Sequence, residues 1–402
     1  MKVYLDYAAT TPVLPEVVEA MRPYWSEKFG NASSLHSFGR EARVAVEESR
    51  REVAEILNCE PPEIIFTGTT TTSDNLAILG IAGVGGKWEV GREMRVGSGK
   101  KRHLITTQIE HHAVLDTFKY LEKQGFDVTY LPVDKYGMVN LEELEKAIKP
   151  ETFLVSVMYA NNEVGTIQPI EEISEIIKQK AVVYKRKAIL HTDAAATAGF
   201  LDLDVKKLGV DLMTLGAHKF GGPKGVGILY VKKGTKISPI TFGGHHEAGL
   251  WPGTEAVPLI VGMAKALRMA YRLRTTDYIK KITELRDKLI EGVLEKVPDC
   301  YLTGHPRQRL PDIASFVFKG VEGEAILLRL DAEGIAASSG SACTSGDLQP
   351  SHVLVSMGIP AEEAHGSIRF SLGRNTNKNE IEYVLEKLPG IIEELRRFAP
   401  KF

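Results

Sequence analysis

The chain has 402 residues, with 50 Lys and Arg against 52 Asp and Glu and a hydrophobic share of 43%. That length suffices for a large buried core in two or three domains, and the ordinary globular composition excludes wholesale disorder. A formal net charge of −2 excludes a protein whose main work is to coat phosphate backbones, so no direct nucleic-acid partner is expected.

The first residues, Met1 to Thr11, show no basic stretch followed by an apolar run. No apolar run approaches the ~18 residues that a membrane helix needs. A cytoplasmic protein without a membrane partner is therefore expected. The next two-thirds of the chain alternates short apolar runs with longer helical patterns. Ile64–Phe66, His103–Thr107, Val128–Pro132, Leu154–Tyr159, Ala188–Thr192 and Leu212–Leu215 have the length and β-branched content of strands. Asp74–Ala82, Ala113–Gln124, Leu141–Ile148 and Glu171–Lys180 have helical periodicity, and Gly83–Lys101 has the composition of an exposed loop. This βαβα rhythm predicts an α/β fold with a mostly parallel sheet covered on both faces, whose ligands sit outside the carboxyl ends of the strands. After Gly253 come long amphipathic helices over Val257–Arg272 and Tyr278–Val297, with a domain boundary near Pro258. Strand Ile313–Phe318, helix Glu324–Glu333, strand Ser367–Leu372 and a closing helix over Asn379–Phe398 follow. These predict a second, smaller α+β domain.

The strand ends carry the chemistry. Ile64–Phe66 runs into Thr67-Gly68-Thr69-Thr70-Thr71-Thr72-Ser73 at the start of a helix. There, hydroxyls and backbone N–H groups can hold a phosphate or simply cap the helix. No Gly-Lys-Ser/Thr follows, so this is not a Walker loop. The strand Ala188–Thr192 ends in Asp193, which can cap a helix or pair with a protonated heterocyclic nitrogen. The next strand leads into Gly216-Ala-His218-Lys219-Phe-Gly-Gly-Pro-Lys224, a lysine among small residues that a ligand can approach closely. Together, an acid, a lysine and a phosphate cradle are the parts needed for pyridoxal 5′-phosphate (PLP). The lysine would bind the cofactor covalently, and the acid would keep the pyridine nitrogen protonated. His111 could stack on a flat ring, and Asn162 could bond a ring oxygen or a carboxylate. Arg369, inside the alternating run Ser367-Ile-Arg-Phe-Ser-Leu-Gly-Arg374, suits bidentate carboxylate capture.

Three cysteines, Cys59, Cys300 and Cys343, are too few and too scattered for a disulfide framework or a zinc site. Cys59 and Cys300 have the surroundings of small buried hydrophobes. Cys343 lies in Ser338-Ser-Gly-Ser-Ala-Cys-Thr-Ser-Gly-Asp, an uncrowded run suited to a reactive thiol. The neighbouring histidines His111, His112, His245 and His246 do not have the spacing of a metal site, so no metal is expected.

The sequence resembles the PLP-dependent cysteine desulfurases of the NifS/IscS type over nearly its whole length. The resemblance rests on Tyr4-Leu-Asp-Tyr-Ala-Ala-Thr-Thr-Pro12, Phe29-Gly-Asn-Ala-Ser-Ser-Leu-His36, Ala217-His-Lys-Phe-Gly-Gly-Pro-Lys-Gly-Val-Gly227, Gly340-Ser-Ala-Cys-Thr-Ser-Gly346 and Ser367–Arg374. It implies a fold-type I PLP transferase. Residues 16–258 would form a large domain with a mostly parallel seven-stranded sheet. Residues 259–402 would form a small α+β domain carrying the cysteine loop, with residues 1–15 packed against it. It further implies a homodimer acting on L-cysteine. Lys219 would bind PLP, Asp193 would lie at its ring nitrogen and His111 over the ring. Thr70, Thr71 and His218 would lie at the phosphate, with Thr254 reaching it from the other subunit, and Asn162 and Arg369 would hold the substrate carboxylate. Cys343 would take the sulfur as a persulfide and pass it to an iron–sulfur scaffold protein or another acceptor, such as the machinery of tRNA thiolation. An altered substrate (selenocysteine or cysteine sulfinate), or a weakly active subunit that docks a scaffold, is the alternative.

Four departures from the family pattern bear on cofactor binding. Thr69-Thr70-Thr71-Thr72 stands where Gly-Ala-Thr-Glu is usual, and Ala196 replaces a Gln. Gly216 replaces a Ser that donates to phosphate, and Trp251-Pro252 replaces Arg-Ser. Each lost hydrogen bond is worth ~1 kcal/mol, and the extra threonine hydroxyls are available to offset part of the loss.

Overall fold

The computed structural model describes residues 1–83, 95–96, 100–274, 276–340 and 349–398. Seven strands build the main sheet: β1 (Ile64–Thr67), β2 (His103–Thr107), β3 (Asp127–Leu131), β4 (Thr152–Ser156), β5 (Ile189–Asp193), β6 (Leu212–Gly216) and β7 (Gly227–Val231). Their order is β1-β7-β6-β5-β4-β2-β3. The pairings from β6 through β3 are parallel, whereas β7 runs antiparallel to both neighbours. A parallel return needs a crossover of about a dozen residues or more, and the connection 217–226 is too short for one. The chain therefore turns straight back as β7. This strand was absent from the βαβα pattern expected of the sequence.

The strands are apolar on alternate and intervening positions alike, because both faces are covered. Ile64, Ile105, Val155, Met213 and Ile228 face one core, and Ile65, Leu104, Leu154, Leu212 and Leu229 face the other. The covering helices are α1 (Ser37–Leu57), α2 (Thr70–Ala82), α3 (His112–Lys123), α4 (Ile170–Tyr184) and α5 (Val257–Leu273). Helices α1, α4 and α5 pack on the first face, and α2 and α3 on the second. Helix α1, also absent from the expected pattern, exposes long charged side chains and buries a narrow stripe that includes Ala42, Val46, Val53 and Leu57.

A second core unites α6 (Thr276–Lys296), α7 (Gly323–Ala332) and α8 (Lys378–Phe398) with an antiparallel sheet of β8 (Cys300–Leu302), β9 (Ile313–Phe318) and β10 (Ser367–Ser371). One difference from the sequence reading concerns the boundary. Helix α5 buries Ile260, Met263 and Leu267 in the first core, although the expected boundary near residue 258 would give it to the second. Val3 and Leu5 bury in the second core, where Val3 pairs with Ile335. Most of the expected loop 83–101 lies outside the described residues. No helix among the described residues is long and apolar enough to cross a membrane.

One buried ion pair fastens the edge strand β1. Arg50 of α1 donates to both carboxylate oxygens of Glu247 at 2.8 and 2.7 Å, and to the Ile64 carbonyl at 2.6 Å. Glu247 also accepts from the Phe66 N–H at 2.8 Å. The two side chains are only 11% and 4% exposed. Removing one partner leaves an uncompensated buried charge, whereas an apolar pair of similar volume does not. Arg50→Ala is expected to lower stability by about 3 kcal/mol or more, and the double variant Arg50→Met/Glu247→Leu to recover most of that loss. Chemical denaturation of the single and double variants checks this.

Candidate active site

The carboxyl ends of β1, β2, β4, β5 and β6 open on the same edge of the sheet, and each leads into a polar segment. After β1, Thr69 caps α2: its hydroxyl accepts from Thr72 N–H at 3.1 Å while Thr72 Oγ1 accepts from Thr69 N–H at 2.8 Å. Helix α2 thus starts four residues before the expected Asp74, which places Thr70 and Thr71 in its first turn. Thr70 Oγ1 is buried and has no hydrogen-bond partner, and Thr71 is exposed. After β2, His111 caps α3, its Nδ1 accepting from Ala113 N–H at 3.1 Å. After β4, Asn161 is spent on the fold, its Oδ1 accepting from the Glu163 and Val164 N–H groups, both at 2.9 Å. Asn162 is half-buried, and its carbonyl accepts from Arg369 Nη1 at 2.8 Å.

Asp193 ends β5, with Oδ1 accepting from Ala195 N–H at 2.8 Å. After β6 come His218 and Lys219. Lys219 Nζ donates to the carbonyls of Ala8 and Ala9 at 2.6 and 3.0 Å, and His218 Nδ1 pairs with Thr10 Oγ1 at 3.2 Å. The same amino-terminal segment reaches the second core, where Asp6 Oδ1 accepts from Arg369 Nη2 at 2.9 Å. Arg369 is 5% exposed, and its Nε has no partner. Thr254 is exposed and lines a separate cavity with Gly68 and Trp251. Cys343 lies outside the described residues. The described flanks of its segment are tied to the site. Ser338 exchanges backbone hydrogen bonds with Arg369, and His352 Nε2 donates to the Glu110 carbonyl at 2.9 Å. Cys59 and Cys300 are half-buried rather than fully buried, and burial pushes the Cys59 thiol up to about 12.

Burial dominates the electrostatics of this edge. It pushes Asp193 up to about 6, helped by the nearby Asp74 carboxylate. Burial also lowers His111, against the raising influence of Asp193 and with the lowering influence of Lys219. His218 is pushed down to about 4 by burial and by Lys219. At neutral pH, His111 and His218 are therefore neutral imidazoles. Beneath them lies a layer that the sequence analysis did not single out. Asp74 accepts from Thr214 Oγ1 at 2.6 Å and lies 3.5 Å from His191 Nε2, whose Nδ1 pairs with Ser156 Oγ at 2.8 Å. Burial raises Asp74 to about 7 and lowers His191 to about 4. Glu110 accepts from Thr107 Oγ1 at 2.7 Å and Met158 N–H at 2.9 Å, and burial raises it to about 8. Asp74 and Glu110 stand among polar neighbours in the sequence, so nothing local marked them as buried.

Residues 3–384 match the model of the class-V aminotransferase family. A cysteine desulfurase IscS from Dictyoglomus turgidum is 49% identical over 399 residues, spanning 99% of this chain and 96% of the relative. The chain belongs to the cysteine desulfurases of the class-V aminotransferase family. A solved NifS-like protein, 39% identical, superposes with a TM-score of 0.88 over 98% of this chain and all of its own. A structure described as SspA in complex with cysteine, 35% identical, gives 0.78 over 92% of this chain and 99% of that one. The fold is thus that of the NifS-like desulfurases, and PLP is the cofactor of this family. The residues here fit it: a buried carboxylate at the end of β5, a lysine just beyond β6, and an unpartnered hydroxyl at the start of α2 face the same edge of the sheet.

The buried acids give this desulfurase a pH signature. Glu110 is raised above its unfolded-state value, so between about pH 4.5 and 8 the folded protein holds a proton that the unfolded chain releases. Its contribution to stability is complete below that window and is lost as pH rises, by up to about 1.4 kcal/mol per pH unit. Glu110→Gln cannot titrate. Its stability relative to wild type is expected to improve steadily from pH 5 to pH 8. Urea unfolding at both pH values measures this, and an unchanged difference would contradict it.

Proposed function

We propose that this pocket converts L-cysteine to L-alanine and transfers the sulfur to Cys343 as a persulfide, for delivery to an acceptor protein. The convergence of Lys219, Asp193 and His111 on one edge of the main sheet, with Arg369 of the second sheet held against it by Asn162 and Asp6, carries this reading. When bound, PLP supplies an electron sink for the charge that develops at the substrate Cα. Lys219 Nζ would attach the cofactor, and once displaced by substrate would take the Cα proton as a free amine. Asp193 would hold the ring nitrogen. With its carboxyl at about 6, it is still about nine-tenths ionised at pH 7. Thr70, Thr71 and His218 would hold the phosphate, and His111 would lie over the ring.

Arg369 would bind the substrate carboxylate through its unpartnered Nε, with Asp6 and the Asn162 carbonyl fixing the guanidinium plane. Asn162 would complete the carboxylate site. The neutral imidazole of His111 would accept the proton of the Cys343 thiol. The thiolate then attacks the substrate sulfur. The carbon–sulfur bond of cysteine breaks, a sulfur–sulfur bond forms on Cys343, and the remaining carbon skeleton takes up protons to leave as alanine. Cysteine and thiol thus become alanine and persulfide, with no outside oxidant or reductant.

A homodimer is part of this reading. Trp25, Phe29, Leu35, Phe38 and Phe242 are each more than half exposed, apolar surface of the kind that a partner covers. Thr254, on the same chain stretch as Phe242, would reach the phosphate of the other subunit. The acceptor would be an iron–sulfur scaffold or another thiol-bearing carrier.

The decisive assay is alanine formed from L-cysteine by purified protein supplied with PLP. Lys219→Ala is expected to abolish it. Cys343→Ser is expected to retain PLP while losing alanine formation by at least ~100-fold. Arg369→Lys is expected to raise KM about tenfold or more with a smaller change in kcat, because a point charge replaces a planar fork. A Cys343→Ser protein as active as wild type would sink the persulfide route.

A further inference from the structure

The first turn of α2 comes unusually close to the ends of β6 and β7. Gly216 and Gly227 face each other across that strand pair. A methyl group on Gly227 would lie 2.7 Å from the Thr69 backbone. One on Gly216 would lie 2.0 Å from Thr70 Oγ1, 3.4 Å from Thr70 Cβ and 3.7 Å from the His218 ring. The Thr70 hydroxyl therefore fills the space that any side chain at position 216 would need. The hydroxyls of Thr67, Thr69, Thr72 and Ser73 are already engaged, and that of Thr71 is on an exposed residue. Thr69 and Thr72 cap each other's backbone, and Ser73 Oγ pairs with Thr67 Oγ1 at 2.5 Å. Thr70 Oγ1 is buried with no partner, an arrangement a folded protein keeps only where something else supplies one. It sits at a helix amino terminus, where backbone N–H groups and the helix dipole favour an anion.

We propose that Thr70 and Gly216 act as one unit of the cofactor site: Thr70 Oγ1 donates a hydrogen bond to the phosphate of PLP, and Gly216 is glycine because that hydroxyl takes its space. The inference rests on the PLP reading of the site and adds a dependence between the two positions. A hydroxyl entering this spot from β6 requires a small residue at 70, and a hydroxyl entering from α2 requires glycine at 216. The absence of a hydroxyl on Gly216 is then a relocation of the donor, not its loss.

Titration calorimetry of the cofactor-free protein with PLP, and with pyridoxal, which lacks the phosphate, tests this. Thr70→Ala is expected to weaken PLP about tenfold or more, as for a hydrogen bond to a charged group, and to leave pyridoxal unchanged. Thr70→Ser should bind PLP as wild type does. Gly216→Ser alone should weaken PLP because it collides with Thr70, and Thr70→Ala/Gly216→Ser should return to within about threefold of wild type. The melting temperature of cofactor-free Thr70→Ala should not fall, since Thr69 caps the helix and an unpaired hydroxyl is removed. Wild-type PLP affinity in Thr70→Ala, or a double variant no better than the weaker single, overturns the proposal. If Gly216→Ser does not fold, the Thr70→Ala and Thr70→Ser pair decides alone. A wild type that binds PLP no better than pyridoxal would overturn the phosphate reading itself, and this inference with it.

Discussion

Asp193, the carboxylate proposed to hold the ring nitrogen and needing its charge for that role, lies where water hardly reaches it. Asp193 closes the central strand β5 at the edge of a sheet covered on both faces, and burial alone works against its ionisation. The surrounding residues limit that cost. Asp74, the like charge that would raise Asp193 further, is itself raised to about 7 and is held by the Thr214 hydroxyl, so at neutral pH much of it carries no charge. Glu110 is pushed to about 8 and is mostly neutral. His191 is kept neutral and spends one nitrogen on Ser156. Of these four ionisable groups, Asp193 is thus the one that carries most of its full charge at neutral pH. A cationic ring nitrogen at Asp193 would lower its pKa again, so cofactor binding and ionisation would reinforce one another.

A second constraint comes from the amino-terminal segment. Residues 3–5 are built into the second core, residues 8–14 run along the Lys219 loop of the first, and Asp6 between them holds Arg369. Thr11 bonds the His218 carbonyl and the Gly221 N–H, at 2.9 and 2.7 Å. Lys219 and Arg369 belong to different cores, and this one extended segment sets the distance between them. A shift of one core against the other would move the lysine relative to the arginine through Asp6 to Thr11. The flanks of the Cys343 segment are attached to Arg369 on one side and to the Glu110–His111 turn on the other.

Much of this could be read from the chain, and what could not has physical reasons. Asp193, Lys219 and His111 stand at the ends of strands whose apolar runs are plain, so their meeting followed from the rule that sites form at the carboxyl ends of parallel strands, whereas Arg369, inside an antiparallel strand of the other sheet, reaches them only through the packing of the two cores. Helix α5 is amphipathic, but periodicity does not say which of two cores an apolar stripe will enter, hence its assignment to the wrong side of the boundary. Strand β7 was hidden because its direction depends on the length of the preceding turn. Asp74 follows Ser73 at what looks like a solvated helix start; it is buried because α2 begins earlier, at Thr70, and turns that position into the sheet.

The relation between Thr70 and Gly216 shows the same limit from the other side. They lie 146 positions apart, and nothing in local composition links them. Their contact exists because β1 and β6 flank the antiparallel β7, whose Gly227 stands between Thr67 and Gly216. Against a family pattern, position by position, the chain has gained a threonine in one place and lost a serine in another. In three dimensions the two changes meet in one volume, and with Thr70 in its observed rotamer only one of the two side chains fits. Departures that seem to weaken a site when counted along the sequence can leave its chemistry whole when their positions share a single space.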